Sequence, residues 1–151
     1  MMPTDSPILV AGASVRAAVC SAKMAGWSVC GADLFCDRDL QSQCECFRLN
    51  PYPGALSTLV DSGRFSGLMI TGALENEPDL LENCQQQLPL LGVDLSFLRV
   101  VRDPFQLARI WQANGIPSPE VRMVRPTNGQ WLQKPLRLRR RAENLAFQPK
   151  R

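Results

Sequence analysis

The stretch Pro7-Ile8-Leu9-Val10-Ala11-Gly12-Ala13-Ser14-Val15-Arg16 decides the fold. Its apolar run is of strand length and unbroken, which suits a central parallel strand buried on both faces. Gly12 bounds the run, and Ser14 stands where a helix cap belongs. Beyond it Val15, Ala18, Val19, Ala22 and Ala25 recur at helical spacing and Gly26 supplies a stop, predicting an amphipathic helix over 15–25. A second apolar run, 27–32, ends at Asp33 and completes a β-α-β unit.

Outward from that unit the pattern repeats in looser form. Leu56, Leu59 and Val60 suggest a short helix ending at Gly63, and Gly67-Leu68-Met69-Ile70-Thr71 reads as the next buried strand. Pro78 suits the first turn of a helix that Leu80, Leu81, Cys84 and Leu88 would pin to the sheet, with a fourth strand in 88–92. A helical stretch follows around 95–101, and Asp103-Pro104-Phe105-Gln106 then has the form of a capping box with Pro at the first helical position. Asn114-Gly115 ends that helix before the stiff linker Ile116-Pro117-Ser118-Pro119. Past the linker, Asn128-Gly129 between apolar runs at 121–124 and 131–136 signals a β-hairpin. The expected fold class is α/β, an open parallel Rossmann-like sheet with flanking helices followed by a short hairpin. The expected division is 1–116 for that domain, 117–136 for a hairpin unit and 137–151 for a basic, disordered tail.

Charge narrows the partners. The net charge is +3, yet residues 137–151 hold six basic residues beside the single acid Glu143, which leaves the first 136 with a net charge of −2. A body of that sign does not suit a phosphate backbone, so nucleic acid is not the expected partner; a small-molecule substrate or a nucleotide is. The run Arg137, Arg139, Arg140, Arg141 is the one cluster that would serve a nucleic-acid or acidic-partner arm. No apolar stretch nears the roughly 20 residues of a membrane span and no secretory start is visible, so no membrane is expected and the location is read as cytoplasmic. In that setting the six cysteines are expected to stay reduced. Cys36, Cys44 and Cys46 lie close in sequence, but without a C-x-x-C pair or any His they make a poor zinc set, and no metal site is assigned.

Catalytic constellations are equally scarce. There is no His and no G-x-S-x-G elbow, and the acids Glu75, Glu77, Asp79 and Glu82 suit a charged first helical turn. Asp37, Arg38 and Asp39 read as a solvated loop. No catalytic residue is assigned. The candidate substrate-binding positions are Gly12, Ala13, Ser14 and Arg16, where a helix starts at the carboxyl end of a strand, together with Asp33. Asp33 lies 21 positions after Gly12, about where a ribose-binding acid sits in dinucleotide folds. The turn offers one glycine where that fingerprint needs three, so a tightly packed turn of small residues is the competing reading. In Trp131-Leu132-Gln133-Lys134-Pro135-Leu136 the single lysine on an apolar stretch suits a phosphate contact or, equally, a snorkelling edge lysine.

The order of these parts resembles the amino-terminal portion of ATP-grasp enzymes. The likeness runs over residues 7–136 and is most specific at Asn114-Gly115-Ile116-Pro117-Ser118-Pro119 and at Gln133-Lys134-Pro135-Leu136. It implies a pre-ATP-grasp, Rossmann-like first domain that helps bind substrate. It further implies later subdomains that hold ATP and Mg2+ and activate a carboxylate as an acyl phosphate for attack by an amine or thiol. By the same resemblance Lys134 matches the ATP-contacting lysine before a glycine-rich loop, and Arg102 and Arg109 lie near a second basic phosphate contact. The sequence departs from the family pattern after Leu136, where neither the glycine loop nor the acidic magnesium ligands follow. On this reading the chain is truncated, its arginine-rich ending resembles a reading-frame change, and it is inactive alone. The alternative is a non-catalytic Rossmann-like module that binds a nucleotide or small ligand at the Gly12 turn.

Overall fold

The structure, a computed structural model, describes residues 6–124, 126, 127, 129 and 131–134. The first apolar run is strand β1 (Ile8–Gly12), and α1 (Arg16–Met24) returns the chain to β2 (Val29–Asp33). Next come α2 (Arg38–Gln41), β3 (Cys46–Arg48), α3 (Ala55–Val60) and β4 (Gly67–Ile70). A 3₁₀ turn (Leu74–Asn76), α4 (Pro78–Gln87), β5 (Leu90–Leu91), α5 (Leu95–Arg102) and α6 (Pro104–Ala113) complete the order. The five strands form one sheet in the order β3-β2-β1-β4-β5, with every pairing parallel. This is the open, Rossmann-like α/β sheet that the alternation of strands and helices predicts.

Side-chain alternation along β1 divides the core. Ile8 and Val10 face one layer, where Val15, Val19 and Ala22 at the start and along α1 meet Leu40 of α2. Leu9 and Ala11 face the other, packed with Leu56 and Val60 of α3, Leu81 and Cys84 of α4, and Leu98 of α5. A run of consecutive apolar residues is needed because β1 is central and covered on both sides. Gly31 permits close packing, since a Cβ there would lie 3.3 Å from a methyl of Val15 and 3.4 Å from Leu40. At the sheet's far side a Cβ on Gly67 would come within 2.7 Å of Leu91.

Three local expectations are corrected, and one element is new. The stretch at Asp37 to Asp39 is not all loop: Asp37 accepts the Leu40 N–H at 2.9 Å and caps α2, whose Leu40 is buried. An edge strand, β3, follows it, with no expectation in the sequence. Cys36 and Cys46 are joined in a disulfide, their Cα atoms 6.1 Å apart, where reduced thiols were expected. The β2–β3 register sets Cys46 opposite Gly31, and the loop that follows Asp33 carries Cys36 to it. Finally, none of the described residues in 121–134 is in a strand, so the hairpin is not formed there. Leu132 is exposed, and although Arg122 of the first run lies over the Trp131 ring of the second at 5.4 Å, no strand pairing joins the described residues of the two. Asn128 of the expected turn, Pro135 and Leu136 of its second strand, and the whole 137–151 tail lie outside the described residues.

Candidate functional site

Strand order reverses direction between β1 and β4, which makes their carboxyl ends the switch point where open parallel sheets take ligands. Two turns meet there. Ala13 N–H donates to the Gly72 carbonyl at 3.2 Å, and the Thr71 hydroxyl donates to the Ser14 carbonyl at 3.1 Å. Gly12 is required by this approach, because a Cβ on it would sit 2.0 Å from Thr71 Oγ1.

Asp33 ends β2 directly opposite Gly12 in the sheet register and is 4% exposed. One carboxylate oxygen accepts the Val15 N–H at 2.9 Å; the other accepts Phe35 N–H at 2.7 Å and Cys36 N–H at 2.9 Å. Burial of a carboxylate is costly unless its oxygens are satisfied, and three backbone donors satisfy this one. Asp33 therefore supplies the cap that Ser14 was expected to give α1: residue 15 is the capping position and it has no side-chain cap of its own. The acid stitches the β1–α1 turn to the β2–α2 loop.

A second polar link lies beyond β4. Asn76 is buried; its amide donates to the Ala73 carbonyl at 3.2 Å, and its carbonyl oxygen accepts from the Arg102 guanidinium at the end of α5. Arg102 is thereby held beside the β4 turn with the remainder of its donor fork exposed. Ala73 (φ 82°) and Cys36 (φ 51°) are the described non-glycine residues with positive φ, and they flank the carboxyl ends of β4 and β2. Backbone of that kind is costly for a residue with a Cβ and gathers at binding sites.

The structure thus brings together Gly12, Ala13, Ser14 and Asp33, and ties Arg102 through Asn76 to the turn after β4 at Ala73. Arg16 begins α1 but is engaged with Asp39 at 2.8 Å on the surface. Arg109 lies apart, lining an open cleft of about 470 Å³ between α6 and the linker with Phe105, Ala108, Gln112, Glu120 and Val121. Lys134 is exposed. Thr71 and Asn76 were missed. Thr71 follows a buried strand and precedes a glycine, a position the β1 turn would have flagged by analogy; Asn76 carries no sequence signal of its own.

The described residues do not assemble a magnesium site. No group of three or more His, Cys, Asp or Glu side chains converges among them, and both oxygens of Asp33 are committed to backbone donors. No helix among them is long and apolar enough to cross a membrane.

Neither a family model nor a curated protein matches the sequence. Among solved structures, the chain is similar to the biotin carboxylase domain of a single-chain bacterial carboxylase, with a TM-score of 0.61 at 18% identity. The likeness covers 74% of this chain and 30% of that one. At such identity the shared property is the fold, and the chain spans about a third of the neighbour's length.

Proposed function

We propose that this chain is the substrate-holding first domain of an ATP-grasp ligase, of the type that joins a carboxylate to an amine or thiol through an acyl phosphate. The observation that carries the reading is the shared fold with a biotin carboxylase domain, an ATP-grasp enzyme. The order of the linker and Lys134 segments in the sequence supports it independently. The switch-point crevice takes the small-molecule substrate, with Gly12, Ala13 and Ser14 as its floor and Arg102 as the cation facing an anionic group. Asp33 acts in this reading by fixing the turn and the start of α1. Arg109 and Lys134 belong to the ATP side, which in such enzymes is completed by subdomains outside the residues described. ATP and Mg2+ are the cofactors of the whole enzyme; no step through the metal is derived from these residues, and the chain alone is proposed to be inactive and cytoplasmic.

Calorimetric titration of ATP and AMP into the wild type, Lys134→Ala and Arg109→Ala tests this. The expected result is ATP binding weakened by both substitutions, about tenfold or more, as befits loss of a charge-assisted phosphate contact. ATP binding untouched by either would refute the assignment, and steady ADP formation by the chain alone with magnesium and small carboxylates would refute its inactivity.

A second reading, a non-catalytic module for a nucleotide or small ligand, is favoured by one observation: the turns that meet at the sheet's carboxyl ends are built wholly from described residues. It predicts saturable binding of NAD, ATP or AMP that Gly12→Asp abolishes and Lys134→Ala leaves unchanged.

A further inference from the structure

The disulfide lies one residue contact away from the crevice. Cys36 sits in the loop that leaves the carboxyl end of β2, and Cys46 opens β3 ten residues later, so the bond closes a loop that contains α2. The Cys36 N–H is one of the three donors to Asp33, and the opposite oxygen of that carboxylate holds Val15 N–H in the crevice turn. Gln41, the last residue of α2, donates from its side-chain amide to the Cys36 carbonyl at 2.7 Å. Two hydrogen bonds therefore connect the sulfur bridge to the start of α1.

We propose that Cys36 and Cys46 form a reversible thiol–disulfide site, whose state sets the order of the 34–41 loop and, through Asp33, of the crevice turn. The co-reactant is a low-molecular-weight disulfide for closing and a dithiol for opening. In closing, one cysteine thiolate attacks the small disulfide, forming a mixed disulfide and releasing one small thiol; the second cysteine thiolate then displaces the other small thiol. Two protein sulfurs are oxidised, the small disulfide is reduced to two thiols, and the protons that leave the cysteines end on those thiols.

Three of the remaining cysteines, Cys30, Cys44 and Cys84, are poor competitors for this exchange. Burial, with the neighbouring Glu45 carboxylate, pushes Cys30 up to about 11, and burial also raises Cys44 and Cys84. Thiols so raised hold their protons near neutral pH and attack slowly. Cys84 moreover lies in the core layer of α4. Cys36 and Cys46 are each partly exposed, so a small reagent reaches them without unfolding the sheet. In a reducing compartment the pair opens, and it closes when small disulfides accumulate.

The test uses the intact chain equilibrated in glutathione buffers of graded ratio, quenched in acid, alkylated under denaturing conditions and mapped by mass spectrometry. At the oxidising end four cysteines, Cys20, Cys30, Cys44 and Cys84, should be alkylated and the 36–46 peptide should carry the bridge. At the reducing end all six should react. Amide exchange at Phe35, Cys36 and Val15 should quicken about tenfold on reduction, while Leu9 and Leu68 stay unchanged. Cys46→Ala should exchange like the reduced wild type under both conditions, and the wild-type comparison stands even if that variant folds poorly. Alkylation of Cys36 and Cys46 at every ratio, or bridging of either to Cys44, would overturn the site. Equal exchange in the two states would overturn its coupling to the crevice.

Discussion

Replacing Gly12 with alanine places a methyl group 2.0 Å from Thr71 Oγ1 and 3.2 Å from both the Thr71 Cβ and the Thr71 carbonyl oxygen. The first contact is impossible as it stands, so something moves. Rotating the Thr71 side chain clears Oγ1 at the cost of its hydrogen bond to the Ser14 carbonyl, but the backbone carbonyl stays where β4 pairing holds it. Overpacking of that kind costs about 2 kcal/mol. Thr71→Ala alone removes one hydroxyl donor, shared between the Ser14 carbonyl at 3.1 Å and the Ala11 carbonyl at 3.4 Å, worth about 0.5 kcal/mol. In the double variant the colliding oxygen is gone, so its loss should fall short of the sum of the single losses by about 1 kcal/mol. Urea unfolding followed by circular dichroism measures all four proteins; the midpoint should fall for Gly12→Ala with an unchanged slope. Strict additivity, or a Gly12→Ala midpoint equal to the wild type, would refute the claim that the β1 and β4 turns are in van der Waals contact at this glycine.

Three further outcomes follow from the same geometry. Asp33→Asn keeps the shape but puts a donor toward backbone donors, so stability should fall by about 2 kcal/mol; a neutral effect in the same urea assay would mean that Asp33 does not clasp the two loops. Leu74→Ala, at a side chain with no exposure, should cost about 3 kcal/mol by leaving a cavity, whereas Leu132→Ala, 79% exposed, should stay within about 0.5 kcal/mol. Asp103 caps α6, and the Gln106 side-chain amide, with the Gln106 and Phe105 N–H groups, holds its carboxyl below the ordinary 3.8. A folded value below the unfolded one means that the contribution is whole above pH 3.8 and is lost as pH falls through the folded value. Acid titration of helicity should therefore show the wild type losing ground to Asp103→Asn only below that point; parallel curves would contradict the cap.

The elements that could be read from sequence are those whose burial is written in their own residues. β1, β2 and β4 are apolar because they are covered on both faces, and α6 announces itself by Asp103-Pro104. β3 could not be read, because Cys46-Phe47-Arg48 is a three-residue edge strand, with no buried period to detect. α2 is four residues long, but its cap was legible: Asp37 three places before the buried Leu40 is the N-cap spacing, and it was masked by the neighbouring charges. Asp33 was legible as a position and not as a role. Its partner Val15 lies 18 residues away, and nothing local says that parallel register sets Asp33 beside Gly12. The disulfide was opaque for the same reason, since a spacing of ten residues carries no geometry. In the opposite sense, Asn128-Gly129 is a strong local turn signal, yet no strand forms among the described residues on either side of it, where Met123, Val124 and Leu132 stay exposed and a lone pair of strands is marginal.

The two ends of the sheet are held by different means, which bears on where binding can occur. At the amino ends, Arg64 lies over the rings of Phe47 and Phe65 at 5.2 and 5.7 Å and pairs with Glu45 at 2.8 Å, which in turn accepts from Cys30. Guanidinium, two aromatic rings and a carboxylate close that end with apolar area as well as charge. The carboxyl ends have no such plug. They are joined by single hydrogen bonds, from Ala13 to Gly72, from Thr71 to Ser14, from Val15 and Cys36 to Asp33, and from Arg102 to Asn76. Hydrogen bonds of this kind are directional and individually modest, so they define a shape while allowing a ligand's polar groups to compete for the same donors. A ligand seated there exchanges one set of polar partners for another, whereas at the amino ends it would have to displace the buried ring of Phe65 and the half-buried ring of Phe47. The physical asymmetry favours the carboxyl-end crevice as the working face of this sheet, with Asp33 as the group that holds the β1–α1 turn to the β2–α2 loop.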